Sequence, residues 1–207
     1  MNIKEHVSKI IDLSFGIIQD VYHKQKECDG KPNGCPQSHI LFPTKRDKSI
    51  RISEQELRFI FVEQLNVEIQ NGWDVYYSVE TPTLDTYCFS EDEPRIDPDG
   101  QSASFDLVIH DNSYNRIALI EFKANNADEK DHKKDILKLD NEKEKIQEEE
   151  KGKRTTDVES FFIEIVKGSD LSTYKSLAKK IKGFKGTFRC YSLDENREIT
   201  GEILEER

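Results

Sequence analysis

Phe105-Asp106-Leu107-Val108-Ile109, followed by Asn112-Ser113-Tyr114-Asn115 and then by Ile117-Ala118-Leu119-Ile120-Glu121-Phe122-Lys123, carries the strongest structural signal in the chain. Both apolar runs are short and rich in Ile, Val and Phe, and Asn and Ser separate them. That pattern predicts two neighbouring strands of a hairpin. Alternate side chains of a strand share a face, so Glu121 and Lys123 point with Leu119, while Ile120 and Phe122 point the other way. Asp106, Glu121 and Lys123 thus put charge into strands that otherwise read as buried. Charge there is costly unless it is paired or bound to a metal. Two readings stand side by side: an ion pair between Glu121 and Lys123 at a strand end, or a site where the charges do chemistry.

Outward from the hairpin, the chain alternates helix and strand. Ile3, Val7, Ile10, Ile11 and Ile18 recur at helical spacing, with Gly16 as a point of weakness. Cys28, Cys35 and His39 lie in or beside a Gly- and Pro-rich irregular segment. Their spacing, even with His23 added, is unlike a zinc site, so an ordinary loop is expected and structural zinc is not. Ser53-Glu54-Gln55-Glu56-Leu57 opens a second helix with the signature of a capping box between Ser53 and Glu56. Its core stripe is Leu57, Ile60, Phe61 and Leu65, and one step back on that stripe stands Glu54, an acid that the helix dipole or a function must explain. Beyond Lys123, residues 127–150 are helical in composition, the second half being a mixed charge run read as a solvated extension. Residues 159–166 read as a strand, 171–181 as a helix and 186–193 as a last strand. A mixed α/β order results, with helices crossing between strands. The sequence has no internal repeat, no Gly-rich phosphate loop and no nucleophile elbow.

An Asp in one strand, a hairpin, and Glu-x-Lys at the end of the next strand resemble the PD-(D/E)XK nuclease superfamily, which includes restriction endonucleases and archaeal Holliday-junction resolvases. Ser53 to Leu57, followed by Asn71-Gly72-Trp73-Asp74-Val75 and a strand, is similar to the opening of those resolvases, where an acid at the start of the first helix joins the metal site. By that resemblance Glu54, rather than Glu56, takes this role. The resemblance covers roughly residues 50–140. It implies a restriction endonuclease-like α/β fold, a mixed central sheet flanked by helices, with an added N-terminal helix. Residues 1–49 would be that helix and the irregular Cys/His segment, and residues 50–207 the nuclease domain, with an insertion at about 81–102. The chain departs from the pattern in having Phe105, not Pro, before Asp106. A literal Pro98-Asp99 occurs in a stretch that reads as a turn, so strand context favours Asp106.

The resemblance further implies that Asp106, Glu121, the Phe122 carbonyl and Glu54 hold Mg²⁺ or Mn²⁺, hard cations that suit oxygen ligands and phosphate chemistry. Lys123 would orient or help deprotonate water and steady charge in the transition state. The expected reaction is metal-dependent hydrolysis of DNA phosphodiesters, and cutting both strands of a duplex with one site per chain favours a homodimer. The formal net charge of −10 over 207 residues argues against holding nucleic acid by bulk electrostatics. A local basic strip can nonetheless coexist with an acidic remainder. The alternative is a catalytically inactive nuclease-fold protein that binds nucleic acid or protein. No apolar run approaches a membrane span, and Glu5 and His6 interrupt the N-terminal run at once, so a cytoplasmic location without membrane contact is expected.

Overall fold

The computed structural model describes residues 2–26, 38–90, 93–125, 127–146, 158–168 and 171–199. The central hairpin forms as expected, from β3 (Gln101–His110) and β4 (Arg116–Ala124), antiparallel, with Leu107 opposite Ile120 and Val108 opposite Leu119. Asp111 closes the turn by accepting the Ser113 and Asn115 backbone N–H groups, both at 2.9 Å, and Tyr114 takes a positive φ of 63°.

Around this pair the sheet grows to seven strands in the order β2-β1-β3-β4-β5-β6-β7, the further strands being β1 (Tyr76–Cys88), β2 (Arg95–Ile96), β5 (Glu159–Val166), β6 (Thr187–Ser192) and β7 (Arg197–Ile199). The β4–β5 and β5–β6 pairs are parallel and the rest antiparallel. Parallel neighbours need a crossover, and α3 (Glu129–Asp140) with the short α4 (Glu142–Lys145) supplies the first, α5 (Leu171–Lys180) the second. The molecule is therefore a mixed α/β structure with helices on both faces of one sheet.

The odd and even positions of β4 separate two cores. Ile120 and Phe122 join Leu57, Ile60, Phe61 and Leu65 of α2 (Glu54–Gln70) and the apolar side of α1 (Ile3–Lys26). Phe61 meets Phe122 edge-on at 5.3 Å. Each such buried side chain stabilises the fold by about 1.5–3 kcal/mol. Leu119 faces the opposite side with Phe105, Val108, Leu139 and Phe162. Glu121 and Lys123 share that second face at the carboxyl end of β4.

Several expectations change in detail. α1 runs unbroken through Gly16, which faces solvent, and its apolar side shares the main core with α2. Ser53 caps α2 by position only: its hydroxyl donates to the Glu56 carboxylate at 2.5 Å and accepts no backbone N–H, so the reciprocal capping box does not form. Most of residues 81–102, expected as an insertion, is the outer half of the β1–β3 hairpin plus β2. There Gly100 is required, because a Cβ would stand 2.4 Å from the Tyr87 carbonyl oxygen. The helix expected over 127–150 ends at Asn141, whose side chain caps α4 by accepting the Lys143 N–H. Strand β7 was not anticipated. Cys28 and Cys35 lie outside the described residues, and His39 is exposed.

Candidate active site

At the carboxyl end of β4 three elements bring charge together. Strand alternation delivers Glu121 and Lys123 to one face, β3 delivers Asp106 beside them, and the first turn of α2 reaches over with Glu54, whose Oε2 lies 3.9 Å from Lys123 Nζ. All four residues singled out in the sequence thus belong to one neighbourhood. The ion pair between Glu121 and Lys123 that the spacing suggested does not form. Each takes its main partner from α3 instead.

α3 lays His132, Asp135 and Leu139 on one buried face, at helical spacing. Lys138 Nζ donates to Glu121 Oε1 at 2.5 Å and stands 2.9 Å from Asp135 Oδ1. A third donation goes to the Ser104 carbonyl at 2.9 Å. Lys123 Nζ is 2.7 Å from Asp135 Oδ2, although that oxygen, fully buried, lacks the alignment of a hydrogen bond. His132 ties the helix to the sheet, spanning from the Asp128 carbonyl to Glu164 Oε2, each at 3.0 Å. Asp135, Lys138 and Arg58 were not among the candidate site residues expected from sequence, although the stretch 132–139 resembles the helix that follows the catalytic strand in the superfamily. Asp135 and Lys138, three apart on the stripe that carries Leu139, are charges where a core stripe should be apolar, the same signal that singled out Glu54.

Asp106 has both oxygens engaged. Oδ2 accepts the Phe122 backbone N–H at 2.8 Å, and Oδ1 accepts from Arg58, one turn along α2 from Glu54, at 3.1 Å. Arg58 also binds Glu80. Phe122 contributes its N–H to this knot. Asp99 sits exposed in the Asp97–Gly100 turn, as its context suggested.

The electrostatics follow from burial. Glu121 is 2 % exposed, and that burial, with Asp135 and Asp106 repelling it, lifts its pKa well above the ordinary carboxylate range despite Lys138. Burial pulls Lys138 down, but Glu121 and Asp135 outweigh it and the net shift is upward. Lys123 likewise loses solvation and gains more from Asp135 and Glu54, ending above the ordinary lysine value. Glu54 is raised, first by burial and then, against the pull of Lys123, by Asp106 and Asp135. Both lysines therefore remain ammonium ions at neutral pH.

The donor set is one of hard oxygens, which suits a cation such as Mg²⁺. The ammonium of Lys138, held by two carboxylates and a carbonyl, already stands where a cation is favoured. Among the described residues no three carboxylate, imidazole or thiol groups gather so as to hold a metal ion; Lys123, Lys138 and Arg58 pair with the acids. No protein family, no curated protein and no solved structure matches the chain.

Proposed function

We propose that the protein is a metal-dependent nuclease of the PD-(D/E)XK type, acting on phosphodiesters of DNA. One observation carries this reading: Glu54, Asp106, Glu121 and Lys123, chosen from the sequence by motif, converge from a helix start and two strands on one end of the sheet. The order of helix, antiparallel strands, crossover helix and parallel strand agrees with the same resemblance.

Glu121 and Asp135, which share Lys138, would hold the ion with Glu54 across Lys123 from them, while Asp106 orders the Phe122 peptide and Arg58. When bound, Mg²⁺ or Mn²⁺ supplies charge neutralisation at a phosphate oxygen and eases deprotonation of water. Lys123, kept protonated, serves as a fixed positive charge that orients the phosphate and stabilises developing negative charge; it does not take a proton. This narrows the role expected of it from sequence. A second attraction for substrate phosphates lies on the other side of α3: Lys133, Lys179, Lys180 and Lys182, with Glu93 and Asp140, line a groove of about 300 Å³ between α3 and α5, Lys133 pairing with Glu93 and Glu129 and Lys179 with Glu129. Such a strip offers local positive potential within an acidic chain.

Cleavage of supercoiled plasmid with Mg²⁺ or Mn²⁺, and none with EDTA, is the expected result. Glu121→Gln and Lys123→Met should each reduce the rate about 100-fold or more. A second reading, a binding module without catalysis, draws on the closed ion-pair network, in which every acid of the cluster has a cationic neighbour or a backbone donor. It predicts DNA binding without cleavage under any metal, and intact plasmid in every condition would favour it.

A further inference from the structure

Lys138 belongs to no part of the motif, yet it makes the shortest contact in the cluster. Its three ammonium hydrogens face three oxygens: Glu121 Oε1, Asp135 Oδ1 and the Ser104 carbonyl. Its ammonium lies over the Phe105 ring, with Nζ 5.8 Å from the ring centre, and the side chain is nearly sealed from water. This is a small, hard, positively charged group held in an all-oxygen pocket.

We infer that Lys138 is a resident counter-cation, which holds Glu121 and Asp135 in the arrangement that binds a divalent ion and gives up its place when the ion enters. The inference rests on the nuclease reading for the presence of a cation site at Glu121, and adds to it an occupant that competes with the metal.

Three features favour this over a plain structural ion pair. A pair with Glu121 alone would account for Lys138 structurally, yet its ammonium is also held by Asp135, which has Lys123 at 2.7 Å as well, and by the Ser104 carbonyl, a three-oxygen setting that suits a cation. Four carboxylates, Glu54, Asp106, Glu121 and Asp135, meet three cationic heads, Arg58, Lys123 and Lys138, and Arg58 is shared with Glu80, so the cluster retains negative charge. Finally, a lysine can move its charge without moving backbone, because the ammonium sits on a flexible four-carbon stem. Arg58, forked between two carboxylates, has no such freedom. Asp135 and Lys138 stand three apart on α3, so the helix can stay in place, pinned by His132 to Glu164, while the ammonium swings out.

The test uses the full chain and reads metal binding, not cleavage. Mn²⁺ titration calorimetry and thermal melting, with and without about 1 mM Mn²⁺, are run on the parent, Lys138→Met, Lys138→Gln and Glu121→Gln/Lys138→Met. With the competitor removed, Lys138→Met should melt lower than the parent in EDTA, bind Mn²⁺ about tenfold more tightly, and show the larger rise in melting temperature. Lys138→Gln, which keeps a hydrogen-bond donor and guards against a variant that does not fold, should show the same tightening. The double variant should lose the response. Equal Mn²⁺ affinity in the parent and both single variants would overturn the inference, as would weaker binding in the single variants. Plasmid cleavage by the parent is scored separately: cleavage with unchanged Mn²⁺ affinity in Lys138→Gln sinks this inference alone, and tightened Mn²⁺ binding without cleavage sinks the nuclease reading alone.

Discussion

Asp106 has two oxygens and two partners, and its place in the motif does not by itself say which duty dominates. It accepts the Phe122 N–H and faces Arg58, so Asp106→Ala leaves a backbone donor and a largely buried guanidinium short of an acceptor. Losing hydrogen bonds to a charged group costs about 1.5–3 kcal/mol. Urea denaturation in EDTA should show a loss of that size, with a smaller loss for Asp106→Asn, which keeps an acceptor for Phe122. No loss in either variant would mean that the Arg58 contact contributes nothing to the metal-free fold. Glu121 behaves in the opposite sense. Its folded pKa is raised above the ordinary 4.5, so the folded chain binds that proton more tightly than the unfolded chain does. The corresponding stability is fully present below about pH 4.5 and is lost as pH rises through the folded value. Glu121→Gln removes this dependence. Its stability relative to the parent should therefore improve steadily from pH 4.5 towards neutrality in EDTA, and a difference that is flat in pH would contradict the raised pKa.

At the scale of elements, β1 shows how a charged residue can be structural. Its register shifts between Pro82 and Thr86, and Glu144 of α4 fills the irregularity. That carboxylate is 1 % exposed and accepts the Leu84 and Asp85 N–H groups, the Tyr87 hydroxyl and Arg116. Removing one partner of a buried, hydrogen-bonded pair costs about 3–5 kcal/mol. Glu144→Ala should lose stability on that order, and hydrogen exchange should quicken first at residues 83–88. Unaltered exchange there would mean that the bulge holds itself. From sequence, the charge run after Asn141 reads as solvated because an isolated Glu among Lys and Glu gives no hint of three donors arriving from β1 and a fourth, Arg116, from β4. The hairpin of β3 and β4 was legible for the converse reason: period-two alternation is local and needs no partner to be seen. Helix α2 was legible from Leu57, Ile60, Phe61 and Leu65, and Glu54 stood out against that stripe. Asp135 and Lys138 offered the same signal on α3, hidden because the sparse apolar residues Ile136 and Leu139 left the buried face of that helix undecided. The pairing of Lys123 with Asp135 instead of Glu121 was not legible, since it depends on where a crossover helix lands.

For the molecule as a whole, a formal charge of −10 opposes a polyanion, so the proposed DNA contact requires local relief, for which the lysine-lined α3–α5 groove is the candidate. Lys179 and Lys182 are exposed on its rim, Lys179 pairing with Glu129 at the surface. Exposed pairs of this kind contribute about 0–1 kcal/mol, so reversing both charges should scarcely change melting. Binding should change a great deal. Each phosphate neutralised on duplex DNA adds about −0.9 to the slope of log affinity against log salt, so contact through the four groove lysines gives a slope of about −3 to −4. Lys179→Glu/Lys182→Glu should flatten that slope by about 2 and weaken binding most at low salt. Fluorescence anisotropy on a short duplex, without divalent ion so that nothing is cut, measures both quantities. If the double variant binds with the parent's slope, DNA does not lie along α3 and α5, and the approach to Glu121 and Lys123 must come from the α2 side instead. A parent slope near zero would mean that the acidic surface prevails and that no nucleic acid reaches the site.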